Sequence, residues 1–175
     1  MYLNVAQLLK ESSGSTRTYE VDETFTLIDQ SPVSRVTGRV SLLRTDKGVW
    51  VSTALNSEVV CACGRCLEGF VQPVRMTIEE EFLPLVDMAT GVRLKRDGEA
   101  DSYIDQRHIL DIRETVRQYC SLSLPMKLLC REDCAGFCLN CGVNLNEAPC
   151  LCDRTPFDVR WGPLLEIVSA TDNDD

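Results

Sequence analysis

Eight of the ten cysteines fall into pairs with the spacing of metal ligands. Cys63-Gly-Arg-Cys66 and Cys138-Leu-Asn-Cys141 each put two thiols at the ends of a tight turn, where backbone N–H groups can point at sulfur. Gly142, directly after the second pair, relieves the strain of such a turn. Cys150 and Cys152 are two apart, so in extended chain both side chains project to one side. Cys130 and Cys134, four apart, suit adjacent turns of a helix or a compact loop. Thiolate is a soft donor, and zinc accepts four of them with no geometric preference of its own. Cys138, Cys141, Cys150 and Cys152 make one such quartet. Cys130 and Cys134 need two more ligands, which Cys63 and Cys66 can supply from far away in the chain. The alternative is one ion taking four of the six C-terminal cysteines, with Cys63 and Cys66 left as a pair at a hairpin tip. Two ions are preferred, because leftover thiols at ligand spacing would be a coincidence. Cys61 and Cys120 have no spacing partner and are expected in the core.

A closed thiolate site stabilises a fold and performs no reaction. Catalytic zinc usually keeps an open position and includes histidine or carboxylate. The one histidine, His108, lies far in sequence from every cysteine pair and is expected at the surface. A Cys-x-x-Cys pair becomes a thiol–disulfide catalyst when a helix N-terminus or a cation acidifies its first thiol. Arg65 is close, but Cys63 and Cys66 sit between two expected strands, which disfavours that chemistry. No glycine-rich phosphate loop or nucleophile elbow is present. Asn140, Asn144 and Asn146 suit turns, since asparagine tolerates left-handed backbone and bonds its own turn. Read instead as a knuckle for unstacked RNA bases, the segment would add Phe137, Lys127 and Arg131. Glu132, Asp133 and Glu147 offset that charge.

The chain has 175 residues, 44% hydrophobic and 26% charged, the composition of a soluble globular protein. No run approaches the ~20 apolar residues that cross a bilayer. The N-terminus MYLNVAQLLKESSGS lacks the features of a secretory signal, so a reducing cytoplasm is expected, where metal sites are commoner than disulfides. The net charge of −9 disfavours broad neutralisation of phosphates, so any RNA contact should be local or carried by a partner.

These cysteines must be positioned by regular elements. Val5, Leu8 and Leu9 predict a short amphipathic helix within residues 2–10. From Tyr19 to about Phe82 the period is two, with Val36, Gly38, Val40 and Leu42 in one run and Val49, Val51, Thr53 and Leu55 in the next. Thr45-Asp46-Lys47-Gly48 between them predicts a hairpin turn, with Gly48 free to take positive φ. Glu58 to Cys63 and Val71 to Phe82 predict strands on either side of the first knuckle. Residues 86–101 read as a loop. Asp111 and Glu114 form the pattern of a capping box for a helix that buries Ile112, Val116 and Tyr119 or Cys120, turns Arg113 and Arg117 outward, and ends before Pro125. Trp161, Leu164, Leu165 and Val168 predict a short helix within 157–168. No internal repeat is visible.

In sequence order, Cys63-Gly-Arg-Cys66-Leu67-Glu68, Glu80-Glu81-Phe82-Leu83-Pro84, Leu122-Ser123-Leu124-Pro125, Cys130, Asp133-Cys134-Ala135-Gly136-Phe137-Cys138-Leu139-Asn140-Cys141-Gly142-Val143-Asn144-Leu145-Asn146, Cys150-Leu151-Cys152 and Arg160-Trp161 resemble the bacterial YceD family, the large ribosomal RNA subunit accumulation proteins also found in plastids. The likeness runs from Leu3 to about Ile167, and the Cys-Gly-x-Asn-Leu-Asn knuckle is its most specific part. Asp158-Val159-Arg160 departs from the family's Asp-Pro-Arg, and Cys61 is an extra thiol. Family members often lie beside the gene for a zinc-ribbon protein of the large subunit. The resemblance implies a role in maturation or accumulation of large-subunit (23S) ribosomal RNA.

The expected fold class is α+β: an antiparallel β-sheet or partial barrel with one main helix over residues 1–125, and a C-terminal Cys-rich zinc-binding module over 126–169 packed on it. Residues 170–175 are expected to be a disordered tail. The expected role is non-enzymatic, with zinc as the cofactor and a basic large-subunit ribosomal protein as the immediate partner, because the chain is acidic. Direct contact with the 23S rRNA precursor is second and thiol–disulfide chemistry third. Neither a membrane nor a small-molecule substrate is expected.

Overall fold

The computed structural model describes residues 1–28, 32–87, 90–93 and 103–152. Its contacts divide the chain into two compact units, Met1–Cys134 and Ala135–Asp175.

Alternation of apolar and polar residues builds the first unit. Four long strands, β2 (Thr16–Phe25), β3 (Ser34–Arg44), β4 (Val49–Ala62) and β5 (Gly69–Pro84), form an antiparallel meander. Three short strands extend it: β1 (Tyr2–Asn4), β6 (Tyr103–Ile104) and β7 (Ile109–Asp111), in the spatial order β1-β7-β6-β5-β4-β3-β2. β6 pairs parallel with β5, so the sheet is mixed and not purely antiparallel as expected. Antiparallel neighbours need only a tight turn, whereas a parallel pair needs a long crossover, and the segment between Pro84 and Tyr103 supplies the length. A two-residue strand carries too little alternation to reveal this in sequence. The strand order is open, yet its ends approach: the Met1 amino group, one residue before β1, lies 2.9 Å from Glu23 on β2. The sheet is thus curled into a half-barrel.

The concave face holds the core. Val36, Val40 and Leu42 on β3, Val51, Leu55 and Val59 on β4, and Met76, Ile78 and Phe82 on β5 are all buried. The helix α1 (Arg113–Ser123) packs on β5 and adds Val116 and Cys120. Cys61 and Cys120 both belong to this apolar cluster, as expected, and burial raises both thiol pKa values. Leu124, directly before Pro125, is already extended, because proline disfavours helical geometry in its predecessor.

Three local expectations are corrected. Residues 2–10 form β1 and a short 3-10 turn (Leu8–Lys10) instead of a helix, because Tyr2–Asn4 pairs with β7 and the Asn4 side chain accepts the Ala6 N–H at 3.0 Å. Val5, Leu8 and Leu9 are buried nonetheless. The capping box at α1 does not close: Asp111 accepts the Arg113 N–H at 3.1 Å, but Glu114 pairs with Arg117 at 2.8 Å. Gly48 does not take positive φ. It is glycine for a different reason, since a Cβ there would lie 2.1 Å from the Phe82 carbonyl oxygen.

Of the segment expected to loop over 86–101, Asp87 accepts the Thr90 N–H at 2.7 Å and Val86 bridges to Arg93, while 88–89 and 94–101 lie outside the described residues. The expected helix at 157–168 and the tail at 170–175 lie outside them too. No described helix is long and apolar enough to cross a membrane.

Candidate metal centres

The structure gathers the eight paired cysteines into two quartets, each with its four sulfurs within 4.8 Å of one another. Cys63, Cys66, Cys130 and Cys134 form the first, wholly within the unit Met1–Cys134. Cys138, Cys141, Cys150 and Cys152 form the second, within the other unit.

The first knuckle connects β4 to β5. The Cys63 N–H donates to the Glu68 carbonyl at 2.9 Å and the Leu67 N–H donates to the Cys63 carbonyl at 2.9 Å. Leu67 is forced to a φ of 64°, in left-handed backbone that an L-residue occupies at a cost. The second knuckle repeats this pattern. The Cys138 N–H donates to the Val143 carbonyl at 2.9 Å and the Gly142 N–H donates to the Cys138 carbonyl at 2.8 Å, with Gly142 at a φ of 75°. The two turns are built alike, but only the second has glycine at the left-handed position. Sequence reasoning missed the equivalence because Leu67 conceals it.

The second arms differ. Cys130 and Cys134 lie on the segment after α1, held to the first knuckle by a Gly64 N–H bond to the Leu128 carbonyl at 2.7 Å. Cys150 and Cys152 face a small hairpin closed by the Phe137–Asn144 bridge. Asparagine side chains organise that hairpin: Asn144 accepts the Asn146 N–H at 3.0 Å, and Asn146 accepts the Ala135 N–H at 2.8 Å. This is the turn-building role expected of them. Of the other residues singled out in sequence, Lys127 and Arg131 fall with the first unit and Phe137 with the second. His108 is half-buried, at a φ of 61°.

The sulfur spacing of the first quartet matches that around a tetrahedral ion, and that of the second is tighter. Zinc–thiolate bonds of about 2.3 Å place sulfurs about 3.8 Å apart. In the first quartet Cys63 and Cys134 are 3.8 Å apart, as are Cys66 and Cys130. In the second, Cys141 to Cys150 is 3.5 Å and Cys138 to Cys150 is 3.3 Å. One thiol in each quartet is acidified. The Cys63 thiol is lowered to about 6, first by the Cys66 N–H and then by those of Cys130 and Arg65. Cys138 is likewise lowered to about 6, by the Cys141 N–H, the Cys150 thiol and the Asn140 N–H. Opposite them Cys130 is pushed up to about 12, by desolvation of its sulfur and then by the Cys134 thiol, although the residue as a whole reaches solvent. Cys152 is pushed up to about 12 by the thiols of Cys150 and Cys141. One thiolate thus shares the protons of its neighbours, and a divalent cation is the group that would displace the rest.

Comparison with known proteins gives the lineage. The family model described as "Large ribosomal RNA subunit accumulation protein YceD" matches residues 51–167, which include all eight of these cysteines. An uncharacterised protein of Mycobacterium bovis is 30% identical over 81% of the chain, and another of Mycobacterium tuberculosis has the same identity and coverage. The chloroplastic "Large ribosomal RNA subunit accumulation protein YCED homolog 1" of Arabidopsis thaliana is 27% identical over 71% of it. The matched regions span 65% of the mycobacterial proteins and 46% of the Arabidopsis protein. No solved structure matches. With a family model covering well over half its length, the chain belongs to the YceD family of large ribosomal RNA subunit accumulation proteins.

Proposed function

We propose that the protein is a non-enzymatic assembly factor that supports accumulation of large-subunit (23S) ribosomal RNA, with both cysteine quartets holding zinc as structural centres. The observation that carries the reading is the donor set: four thiols per cluster, with no histidine or carboxylate among them, in a chain of this family. Bound there, zinc would supply a fixed crosslink with no coordination position left for substrate. The residues do the rest: the knuckle amides stabilise thiolate, and Phe70 and Leu129 pack around the first quartet.

The partner we favour is a basic large-subunit ribosomal protein. A net charge of −9 speeds and orients docking of a basic surface and repels phosphate. The second knuckle supports the same choice, because residues 135–152 include one charged side chain, Glu147, and offer no cation to an RNA backbone. Cytoplasm, or another reducing compartment, suits the free thiols. The test is affinity capture of the full chain from cells, with and without nuclease. Retention of a basic ribosomal protein after nuclease treatment is the expected result. Tight, salt-sensitive binding to purified large-subunit RNA alone would replace this reading with direct RNA contact.

A further inference from the structure

Arg65 sits inside the first knuckle, between Gly64 and Cys66, yet its side chain turns away from the turn and reaches the opposite arm of the quartet. Its Nη1 donates to the Glu132 carbonyl at 3.1 Å and to the Cys134 carbonyl at 3.0 Å. Its own backbone N–H donates to the Cys63 sulfur at 3.4 Å. One residue therefore touches both halves of the site, through groups that do not bind metal. The Gly64 N–H bond to Leu128 grips the start of the same segment, so residues 128–134 are clamped at two points.

We propose that Arg65 is a positioning residue for the first quartet: it docks the Cys130–Cys134 arm on the β4–β5 knuckle before metal arrives, so that the ion meets four thiols already near their final separation. The proposal rests on zinc binding at this quartet and adds how the site is assembled. Cys63 and Cys134 are 71 positions apart and Cys66 and Cys130 are 64 apart. Bringing such distant segments together costs chain entropy, and a site that pays it during folding binds its ion more tightly. The second quartet closes over separations of only 9 and 12 positions, and its knuckle carries the uncharged Asn140 where the first carries Arg65. It needs no such clamp.

The side chain can be changed while the backbone N–H bond to Cys63 stays in place. In Arg65→Met the stem remains and the donors are lost. Arg65→Lys restores one ammonium nitrogen, and a single nitrogen makes both bonds here. Competition with a zinc chelator, on full-length reduced protein carrying Cys138→Ser and Cys141→Ser, reads the first quartet alone. Arg65→Met is expected to weaken zinc binding there about 10- to 100-fold, the usual effect of losing a group that orients ligands, with Arg65→Lys recovering most of it. Amide exchange on the metal-free, otherwise unmodified chain is the second readout: residues 128–134 should be protected, and Arg65→Met should remove that protection without affecting β3 and β4. Unchanged affinity in Arg65→Met, or exchange in 128–134 equally fast with and without the substitution, overturns the proposal while leaving the zinc centres standing. Absence of zinc binding in the parent with Arg65 intact overturns both.

Discussion

The two quartets use the same turn and the same four donors but differ in what surrounds them. In the first, Cys63 is fully buried and Cys66 and Cys134 nearly so, with Phe70 and Leu129 packed against them, while Cys130 is exposed. In the second only Cys138 is buried; Cys150 and Cys152 are half-buried and Cys141 is exposed, with Leu139 and Leu151 open to solvent beside them. The first joins a β-hairpin tip to a segment some 70 positions later, whereas the second closes a local loop. By chain statistics alone, constraining 71 positions instead of 12 removes about 1.6 kcal/mol more from the unfolded chain. With zinc bound as proposed, the same four donors would fasten a whole unit in one place and shape a small loop in the other.

Breaking each centre separately should expose that difference. If the first quartet holds zinc as proposed, Cys63→Ser removes a ligand and the remaining thiols lose the ion, so denaturant unfolding of the β unit should lose about 4 kcal/mol or more, the scale of losing a structural metal. A loss under about 1 kcal/mol would mean the first quartet does not staple the sheet. Cys141→Ser should act locally, abolishing amide protection in residues 135–152. Protection that survives there would make the asparagine bonds, and not the thiols, the source of that hairpin's order.

The pH response of metal-free protein sharpens the comparison of thiols within each quartet. The folded-state values of Cys63 and Cys138 lie below the ordinary 9.0, at about 6. Each therefore contributes stability that is fully present above pH 9 and is lost as pH falls through 6. Cys130 and Cys152, raised to about 12, do the reverse and cost stability as pH rises from 9 toward 12. Metal-free protein should accordingly gain stability from pH 6 to 9, measured by urea midpoints, and lose it beyond. A midpoint that stays flat from pH 6 to 9 would contradict the thiolate assignment.

The smallest effect concerns the left-handed residue after each knuckle. Leu67→Gly should stabilise the β unit by roughly 0.5–1 kcal/mol, since glycine tolerates a φ of 64°. Gly142→Ala should destabilise the second knuckle by about 1 kcal/mol for the same reason. Opposite signs at equivalent positions test the equivalence of the turns, and a destabilising Leu67→Gly would deny it.

Much of this is legible in the sequence itself. Cysteine spacing announces both knuckles, and strict alternation at Val49, Val51, Thr53 and Leu55 announces the central strand, because both signals are local. What escaped depends on partners distant in sequence. Tyr2–Asn4 becomes a strand only because β7 lies beside it, and β6 runs parallel to β5 through two residue pairs. Gly48 is required by the Phe82 carbonyl on another strand and not by its own turn. The reach of Arg65 to Glu132 and Cys134 belongs to the same class: Cys-Gly-Arg-Cys names the residue but not the carbonyls it will meet.

Zinc content per chain, determined by elemental analysis of freshly isolated, reduced, full-length protein, tests the account most directly. Two equivalents are expected, both released by exhaustive chelation together with the amide protection of residues 135–152. One equivalent would contradict the paired-centre account, and a chain containing none that still keeps full amide protection in residues 135–152 would contradict the structural role assigned to the cysteines altogether.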